Sequence, residues 1–186
     1  AQGKGTLVVL SDEIHYARNV MKTNTTTVQT FVSINRGPAG VVNTGKIQWF
    51  EPMDRKVGPA TGFSVDALDK LPRVDVIYAH ANMSADLIDA AIKNGAKGLV
   101  IAGVGDGNMT TPALDAVTRA AKSGIVVVRS TRLASGITLR NNEVNDDEKG
   151  LVASGELNPA KSRVLLQLAL TKTTDPVRIQ KMFYEY

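Results

Sequence analysis

The chain has 186 residues, of which 43% are hydrophobic and 22% charged, and it lacks cysteine, so we expect a packed core without disulfides. No stretch of about 18 apolar residues occurs, which excludes a membrane-spanning helix. The net charge of +4 is evenly spread, with 8 Lys/Arg against 6 Asp/Glu in residues 1–72 and 14 against 12 in residues 73–186, and this argues against nucleic-acid binding.

The first 50 residues predict β-structure without a helix to cover it. Residues 6–10 (TLVVL) are typical of a strand, residues 22–31 are polar and rich in threonine, and residues 41–50 predict a hairpin with a glycine-containing turn. A strand and a hairpin do not make a stable core alone. We therefore expect residues 1–50 to complete an N-terminal α/β domain whose other elements precede Ala1.

Residues 51–72 contain three prolines and two glycines, a composition that predicts a linker to a C-terminal domain at 73–186. Four apolar segments in that domain predict strands, at residues 74–80, 98–104, 125–129 and 151–154. Residues typical of helix starts follow the first, second and fourth of these segments. They are Ser84 after the first, Thr111-Pro112 after the second, and Asn158-Pro159 and Asp175-Pro176 after the fourth. Gly95 and Gly124 are expected to end the first two helices.

Apolar strands alternating with helices indicate a parallel sheet covered on both faces. We therefore predict the α/β class, with a small three-layer, doubly wound C-terminal domain. Ligands of such sheets bind at the carboxyl ends of the strands. Three loops qualify as candidate sites, at residues 81–84, 103–111 and 130–136.

The second of these loops has the most unusual sequence, with Gly103, Gly105 and Gly107 before Asn108. Glycines let a ligand or another backbone segment approach closely. The pattern is neither a dinucleotide-binding nor a phosphate-binding motif. A tight strand-to-helix turn explains it equally well.

Two charged residues are further candidates. Glu143 lies in the acidic segment 140–150 (RNNEVNDDEKG), which alone is typical of a solvated loop. Lys22 lies among threonines and could relay a proton if it were buried beside a hydroxyl and a carboxylate, although exposed lysines are far more common. His15 and His80 lack convergent ligands, so we predict no metal site.

Several segments, in their order along the chain, together resemble the type II L-asparaginases, including the glutaminase-asparaginases. They are KTNTTTVQTF from Lys22, GVGDGN at 103–108, VRSTR at 128–132, NEV at 142–144, VASGELNP at 152–159 and RVLLQLALTKT at 163–173. Each segment alone is weak evidence. The combination is specific and covers essentially the whole chain.

The resemblance implies hydrolysis of L-asparagine to L-aspartate and ammonia without a cofactor, through a threonine nucleophile and an acyl-enzyme. A lysine that matches Lys22 belongs to the family's proton-handling group. A glutamate that matches Glu143 binds the substrate's α-amino group, and an asparagine that matches Asn108 supports the site. Both reach the active site of a neighbouring subunit. Homotetramers built from close pairs, and a periplasmic or secreted location, are implied as well.

The family's threonine motifs, TGGTIA and HGTDT, do not occur in this chain. We therefore expect the nucleophile in a segment before Ala1, and no activity from this chain alone. Asp106 stands where relatives commonly carry asparagine, while Asn108 favours asparagine over glutamine as substrate. Two alternatives stay open: a non-catalytic small-ligand-binding domain that uses the glycine loop, and a structural fragment.

Overall fold

The computed structural model describes residues 1–50 and 52–186, which divide into two compact units. The first comprises Ala1–Phe63 with Tyr186, and the second comprises Ser64–Glu185. The division falls inside the predicted linker, of which Glu51 lies outside the described residues. The domain limits at 1–50, 51–72 and 73–186, and the incompleteness of the first domain, stay predictions.

The described residues of the first unit form six short strands. In chain order they are β1 (Leu7–Leu10), β2 (Glu13–Tyr16), β3 (Met21–Lys22), β4 (Phe31–Val32), β5 (Gly40–Asn43) and β6 (Lys46–Trp49). Four of them form an antiparallel sheet in the order β1-β2-β5-β6, and β3 pairs with β4 as a separate ribbon. The predicted hairpin is confirmed as β5 and β6, joined at Thr44 and Gly45.

Strand β2 is absent from the elements predicted above, and it forms a second hairpin with β1. Its turn residues Ser11 and Asp12 have φ angles of 50° and 62°, as a two-residue turn of type I′ requires. Ile14 and Tyr16 pack against Ala39 in a small core, while His15 is buried and its Nδ1 lies 3.0 Å from the Ser33 hydroxyl. Two hairpins, rather than a lone strand and a hairpin, thus form this sheet.

The second unit is an α/β domain. Its strands are β7 (Val74–Tyr78), β8 (Gly98–Gly103), β9 (Val126–Thr131) and β10 (Val152–Ala153). Its helices are α1 (Asp86–Lys93), α2 (Thr111–Lys122), α3 (Asp146–Lys149), α4 (Pro159–Ala169) and α5 (Pro176–Glu185). All four predicted strands and all four predicted helices are confirmed, and α3 is additional. Within the described residues, none of the helices has the length and apolar character that crossing a membrane requires.

The four strands of the second unit are parallel, in the order β7-β8-β9-β10. Leu99 and Ile101 pack with buried residues of α1 and α2 on one face. A Cβ added to Gly98, on the other face, would meet Leu166 of α4 at 2.7 Å. The three-layer parallel α/β class is therefore confirmed.

The prediction that this sheet is doubly wound is wrong. The strand order follows the chain without the reversal that defines a doubly wound sheet. Helices α1 and α2, which connect strands, both cover one face, and α4, which follows the last strand, covers the other. The apolar pattern predicts that both faces are covered, but it carries no information on which helix covers which face.

Polar side chains complete both edges of this sheet. At β10, the Gln180 amide on α5 accepts from the Ala153 N–H at 2.8 Å and donates to the Ala153 carbonyl at 3.1 Å, as a neighbouring strand would. At β7, the Arg163 guanidinium on α4 donates to the Val74 carbonyl at 2.8 Å. The edge strands therefore offer fewer unpaired backbone groups to other chains.

Candidate functional site

The three predicted loops lie at the carboxyl ends of β7, β8 and β9 and are joined by hydrogen bonds. The Thr110 hydroxyl donates to the Met83 carbonyl at 2.6 Å, which connects the loops after β8 and β7. Arg132 donates to the Ala79 carbonyl at 2.8 Å, which connects the loops after β9 and β7. The parallel strands thus bring segments that are far apart in sequence together at the carboxyl ends of the strands.

The glycine loop (residues 103–108) folds back on itself. Val104 and Asn108 exchange two backbone hydrogen bonds of 2.8 Å each, and a Cβ at Gly103 would lie 2.4 Å from the backbone of Gly107. Only glycine fits at position 103, because any side chain would collide with a fixed backbone rather than with a movable group. The loop therefore presents Asn108 at a defined point beyond β8.

Gly107 is constrained by its surroundings as well as by its backbone. Its φ angle is +76°, and an added Cβ would meet Arg129 Nη1 and the Thr138 methyl group at 2.9 Å each. Gly105 also has a positive φ angle, of +53°, but no atom lies within 4 Å of an added Cβ there. The glycine loop packs directly on Arg129.

Arg129 is a fully buried cation whose hydrogen-bonding capacity is filled. Its Nε and Nη2 donate to the two carboxylate oxygens of Asp146 at 2.6 and 2.7 Å. Nη1 donates to the carbonyls of Asp106 and Gly107 at 2.9 and 3.3 Å, and Nη2 also donates to the Leu139 carbonyl at 3.0 Å. These five bonds match the five N–H groups of a guanidinium. A buried ion pair therefore connects strand β9 to the glycine loop and to residues 139–146.

The segment that follows Leu139 is held by further polar contacts. Asn141, whose φ angle is 55°, donates its backbone N–H to Asp146 Oδ2 at 2.9 Å. The side chains of Asn141 and Arg140 both hydrogen-bond the Asp147 carboxylate. These bonds, first that from Asn141 and then that from Arg140, lower the pKa of Asp147 below its ordinary value. The acidic segment is thus a hydrogen-bonded loop rather than only a solvated charge run.

Asp106 connects the glycine loop to this segment directly. One carboxylate oxygen accepts from the Leu139 N–H at 2.7 Å, and the other accepts from Asn142 Nδ2 at 2.7 Å. Asp106 lies two residues before Asn108, and Asn142 immediately precedes Glu143. The two candidate residues therefore belong to segments that a single carboxylate joins.

Asn108 and Glu143 lie together at the solvent-exposed end of this arrangement. Asn108 Oδ1 accepts from the Met109 N–H at 2.8 Å, and Nδ2 donates to Glu143 Oε2 at 3.3 Å. The first bond fixes which end of the amide faces the carboxylate. An exposed carboxylate of this kind can receive a ligand ammonium group through charge-assisted hydrogen bonds.

Lys22, the third candidate residue, belongs to the first unit. It ends β3 and is exposed, beside a shallow polar depression shared with Thr23, Asn24 and Thr25. The neighbouring threonines are held in a local turn, since Asn24 Oδ1 accepts from the backbone N–H groups of Thr26 and Thr27. Of the three candidates, Asn108 and Glu143 come together within the second unit.

Sequence reasoning missed the residues that hold this site together. Arg129 could have been found, because an arginine at the end of the apolar run IVVVR requires a buried partner. Asp146 lies in the acidic segment 140–150, and nothing in that neighbourhood distinguishes it from Asp147. Within the described residues, no group of three or more His, Cys, Asp or Glu side chains could hold a metal ion.

Comparisons with known proteins match both units. Residues 73–183 match the family model described as the glutaminase/asparaginase C-terminal domain, and residues 1–55 match the model described as asparaginase, N-terminal. The chain is 47% identical to L-asparaginase 2 of Escherichia coli over 98% of its length, and 50% identical to L-asparaginase 2 of Bacillus subtilis over 100%. It is 46% identical over 100% of its length to a protein of Haemophilus influenzae named probable L-asparaginase periplasmic. The chain spans about half the length of each of these relatives.

Proposed function

The chain belongs to the glutaminase/asparaginase family, and from this membership we propose that the protein in which it functions hydrolyses L-asparagine to L-aspartate and ammonia, with weaker action on glutamine. The observation that carries this proposal is the similarity, along essentially the whole chain, to proteins named L-asparaginase. No comparison supports the alternative of a non-catalytic ligand-binding or structural domain.

In this proposal the pair Asn108 and Glu143 binds the amino-acid end of the substrate. The Glu143 carboxylate accepts hydrogen bonds from the α-ammonium group, and the Asn108 amide donates a further hydrogen bond to the same carboxylate. Their 3.3 Å contact and their exposure support this assignment, because the pair is formed and accessible in the free chain. A charged donor opposite a charged acceptor gives the stronger class of hydrogen bond.

The bond-breaking step would require a threonine nucleophile, and neither threonine motif of the family occurs in this chain. A threonine hydroxyl attacks the side-chain amide carbon, its proton passes to the amide nitrogen, and ammonia leaves. Water then cleaves the ester of the acyl-enzyme, which releases aspartate and restores the threonine hydroxyl. Lys22 is proposed to take part in the proton transfers that activate the threonine. Its position in a threonine-rich ribbon supports this role, since hydroxyls can form a proton path beside an amine.

The same proposal covers the oligomeric assembly and the cellular location of the protein. We place Asn108 and Glu143 in the site of a neighbouring subunit, within a homotetramer made of two close pairs. Both residues lie on loops at one sheet edge, where they are accessible to a second subunit. A periplasmic or secreted location follows the name of the Haemophilus influenzae relative.

The decisive experiment measures ammonia release from L-asparagine by a longer protein that joins this chain to a segment with the family's two threonine motifs, and by the 186-residue chain alone. We expect turnover by the longer protein and none by the chain. Absence of turnover in the longer, folded protein would refute the assignment. Calorimetric titration with L-aspartate and with a nucleotide distinguishes the outcomes, because binding of the nucleotide alone would support a regulatory domain instead.

A further inference from the structure

The distance between Asn108 and Glu143 is set by contacts outside the pair itself. Their mutual hydrogen bond of 3.3 Å is at the long end of the normal range, so it fixes neither residue firmly. Asn141, Asn142 and Glu143 are all exposed, while the next residue, Val144, is buried in the hydrophobic core. Val144 therefore anchors one end of this exposed stretch, and the hydrogen bonds made by its other residues position the rest.

Asp106 supplies two of those hydrogen bonds. Its carboxylate accepts from the backbone of Leu139 and from the side chain of Asn142, both at 2.7 Å. Its own backbone carbonyl accepts from Arg129 at 2.9 Å, so the residue stands on a buried and fully hydrogen-bonded guanidinium. Asp106 is thus anchored to the core below and joined to the Glu143 segment above.

We propose that Asp106 is a positioning residue for the amine-binding carboxylate, which it holds opposite Asn108 by way of Asn142. This inference rests on the proposed function and adds to it a residue that touches no substrate. Both oxygens of the Asp106 side chain must accept a hydrogen bond, because Leu139 and Asn142 each donate one. An asparagine at position 106 would keep the shape but would present one acceptor in place of two.

The first test needs no activity and uses the 186-residue chain. Amide hydrogen exchange is measured at Leu139, whose N–H is donated to Asp106, and at Thr138, whose N–H is donated to the Gly155 carbonyl. In Asp106→Ala we expect exchange at Leu139 to accelerate by about tenfold or more, the factor that corresponds to one charge-assisted hydrogen bond. Exchange at Thr138 should stay unchanged. Equal exchange at Leu139 in both proteins would overturn the proposal.

The second test asks whether Asp106 acts through Glu143, in the longer protein. Asp106→Ala should raise the KM for asparagine about tenfold and change kcat by less than about twofold. Asp106→Asn should give a smaller increase in KM. In a Glu143→Ala background, Asp106→Ala should raise KM no further, since nothing remains for it to position. An equal rise in both backgrounds would overturn the proposal.

The controls separate this inference from the proposed function. Asp89 is an exposed carboxylate on α1, and Asp89→Ala removes the same charge far along the chain from the site, so its KM should match that of the unmodified protein. If the longer protein does not hydrolyse asparagine, the proposed function fails. The exchange at Leu139 still decides whether Asp106 holds the segment.

Discussion

Asn108 donates its side-chain amide to the Glu143 carboxylate across 3.3 Å, although 35 positions separate the two residues in sequence. Neither residue is buried, and neither is required for the packing of the sheet. The contact exists because the loop after β8 and the segment before α3 are joined beneath it by Arg129, Asp146 and Asp106. The pair is therefore prepared before any ligand arrives, which lowers the ordering cost of binding.

Replacing Glu143 should weaken substrate binding. In the longer protein, Glu143→Ala removes the carboxylate proposed to face the α-ammonium group, and we expect the KM for asparagine to rise about 10- to 100-fold, as loss of a charged hydrogen bond implies. Glu148→Ala, which removes an exposed carboxylate five residues later, is the control and should leave KM unchanged. A KM unaffected by Glu143→Ala would exclude this residue from the site.

The two glycines that flank Asp106 should differ in their tolerance of a methyl group. Gly105→Ala adds only the backbone cost of a left-handed residue, about 1–2 kcal/mol, because the space around it is open. Gly107→Ala adds a collision with Arg129 and Thr138 at 2.9 Å, so it should destabilise the chain more. Urea unfolding of both variants tests this order, and equal stabilities would contradict it.

Breaking the buried ion pair should be costly. Asp146→Asn leaves the Arg129 charge without its counter-ion in a fully buried place, for which we expect a loss of about 3–5 kcal/mol in the free energy of unfolding. The exposed pair Arg119 and Asp89 is the matched comparison, since its atoms lie 3.7 Å apart in solvent. Asp89→Asn should cost less than about 1 kcal/mol. Urea unfolding measures both values, and equal costs would refute the argument.

Removing the amide that completes the β10 edge should expose that strand. Gln180→Leu removes two hydrogen bonds to Ala153 and one from Arg140, so the Ala153 N–H loses a buried partner. We expect a loss of about 1–3 kcal/mol per unsatisfied group. Exchange at the Ala153 amide should accelerate in this variant. Lys181→Leu, at the exposed neighbouring position, should leave that exchange unchanged.

The loss of folding stability at acidic pH should depend in part on Asp147. Its pKa is lowered in the folded chain by the Asn141 and Arg140 hydrogen bonds, so the ionised form stabilises the fold. This contribution is complete above the unfolded pKa of about 3.9 and is lost as the pH falls through the lower folded pKa. Asp147→Asn should therefore reduce stability at pH 7 and have a shrinking effect below about pH 4. Urea unfolding at several pH values checks this, and a constant difference would contradict it.

Much of the second unit could be predicted from the sequence because its signals are local. Apolar runs mark strands, and Asn158 before Pro159 marks a helix start, which the structure confirms with a bond from Lys161 N–H to Asn158 Oδ1. Strand β2 was missed because the charges of Asp12 and Glu13 interrupt the apolar pattern at the turn. The prediction that Asn108 and Glu143 belong to one site came from family resemblance alone, since no local pattern encodes a contact between distant loops.

The role of the residues beneath the site could not be predicted for a related reason. Asp106, Asp146 and Asp147 are chemically identical and lie in similar polar surroundings along the chain. Only the fold distinguishes the aspartate that is buried against Arg129 from the one that joins two loops and from the one that faces solvent. Tertiary contacts, rather than residue type, assign their functions.

The saturation of Arg129 also limits what this unit can recognise. An arginine near an amino-acid-binding site is the usual partner for a ligand carboxylate. Here every guanidinium N–H is already donated within the chain, and the side chain is 0% exposed. Under the proposed function, a dicarboxylic product such as aspartate would find a partner for its amine in Glu143 but no cationic partner in Arg129 for its acid groups. Selectivity for those groups must come from other donors.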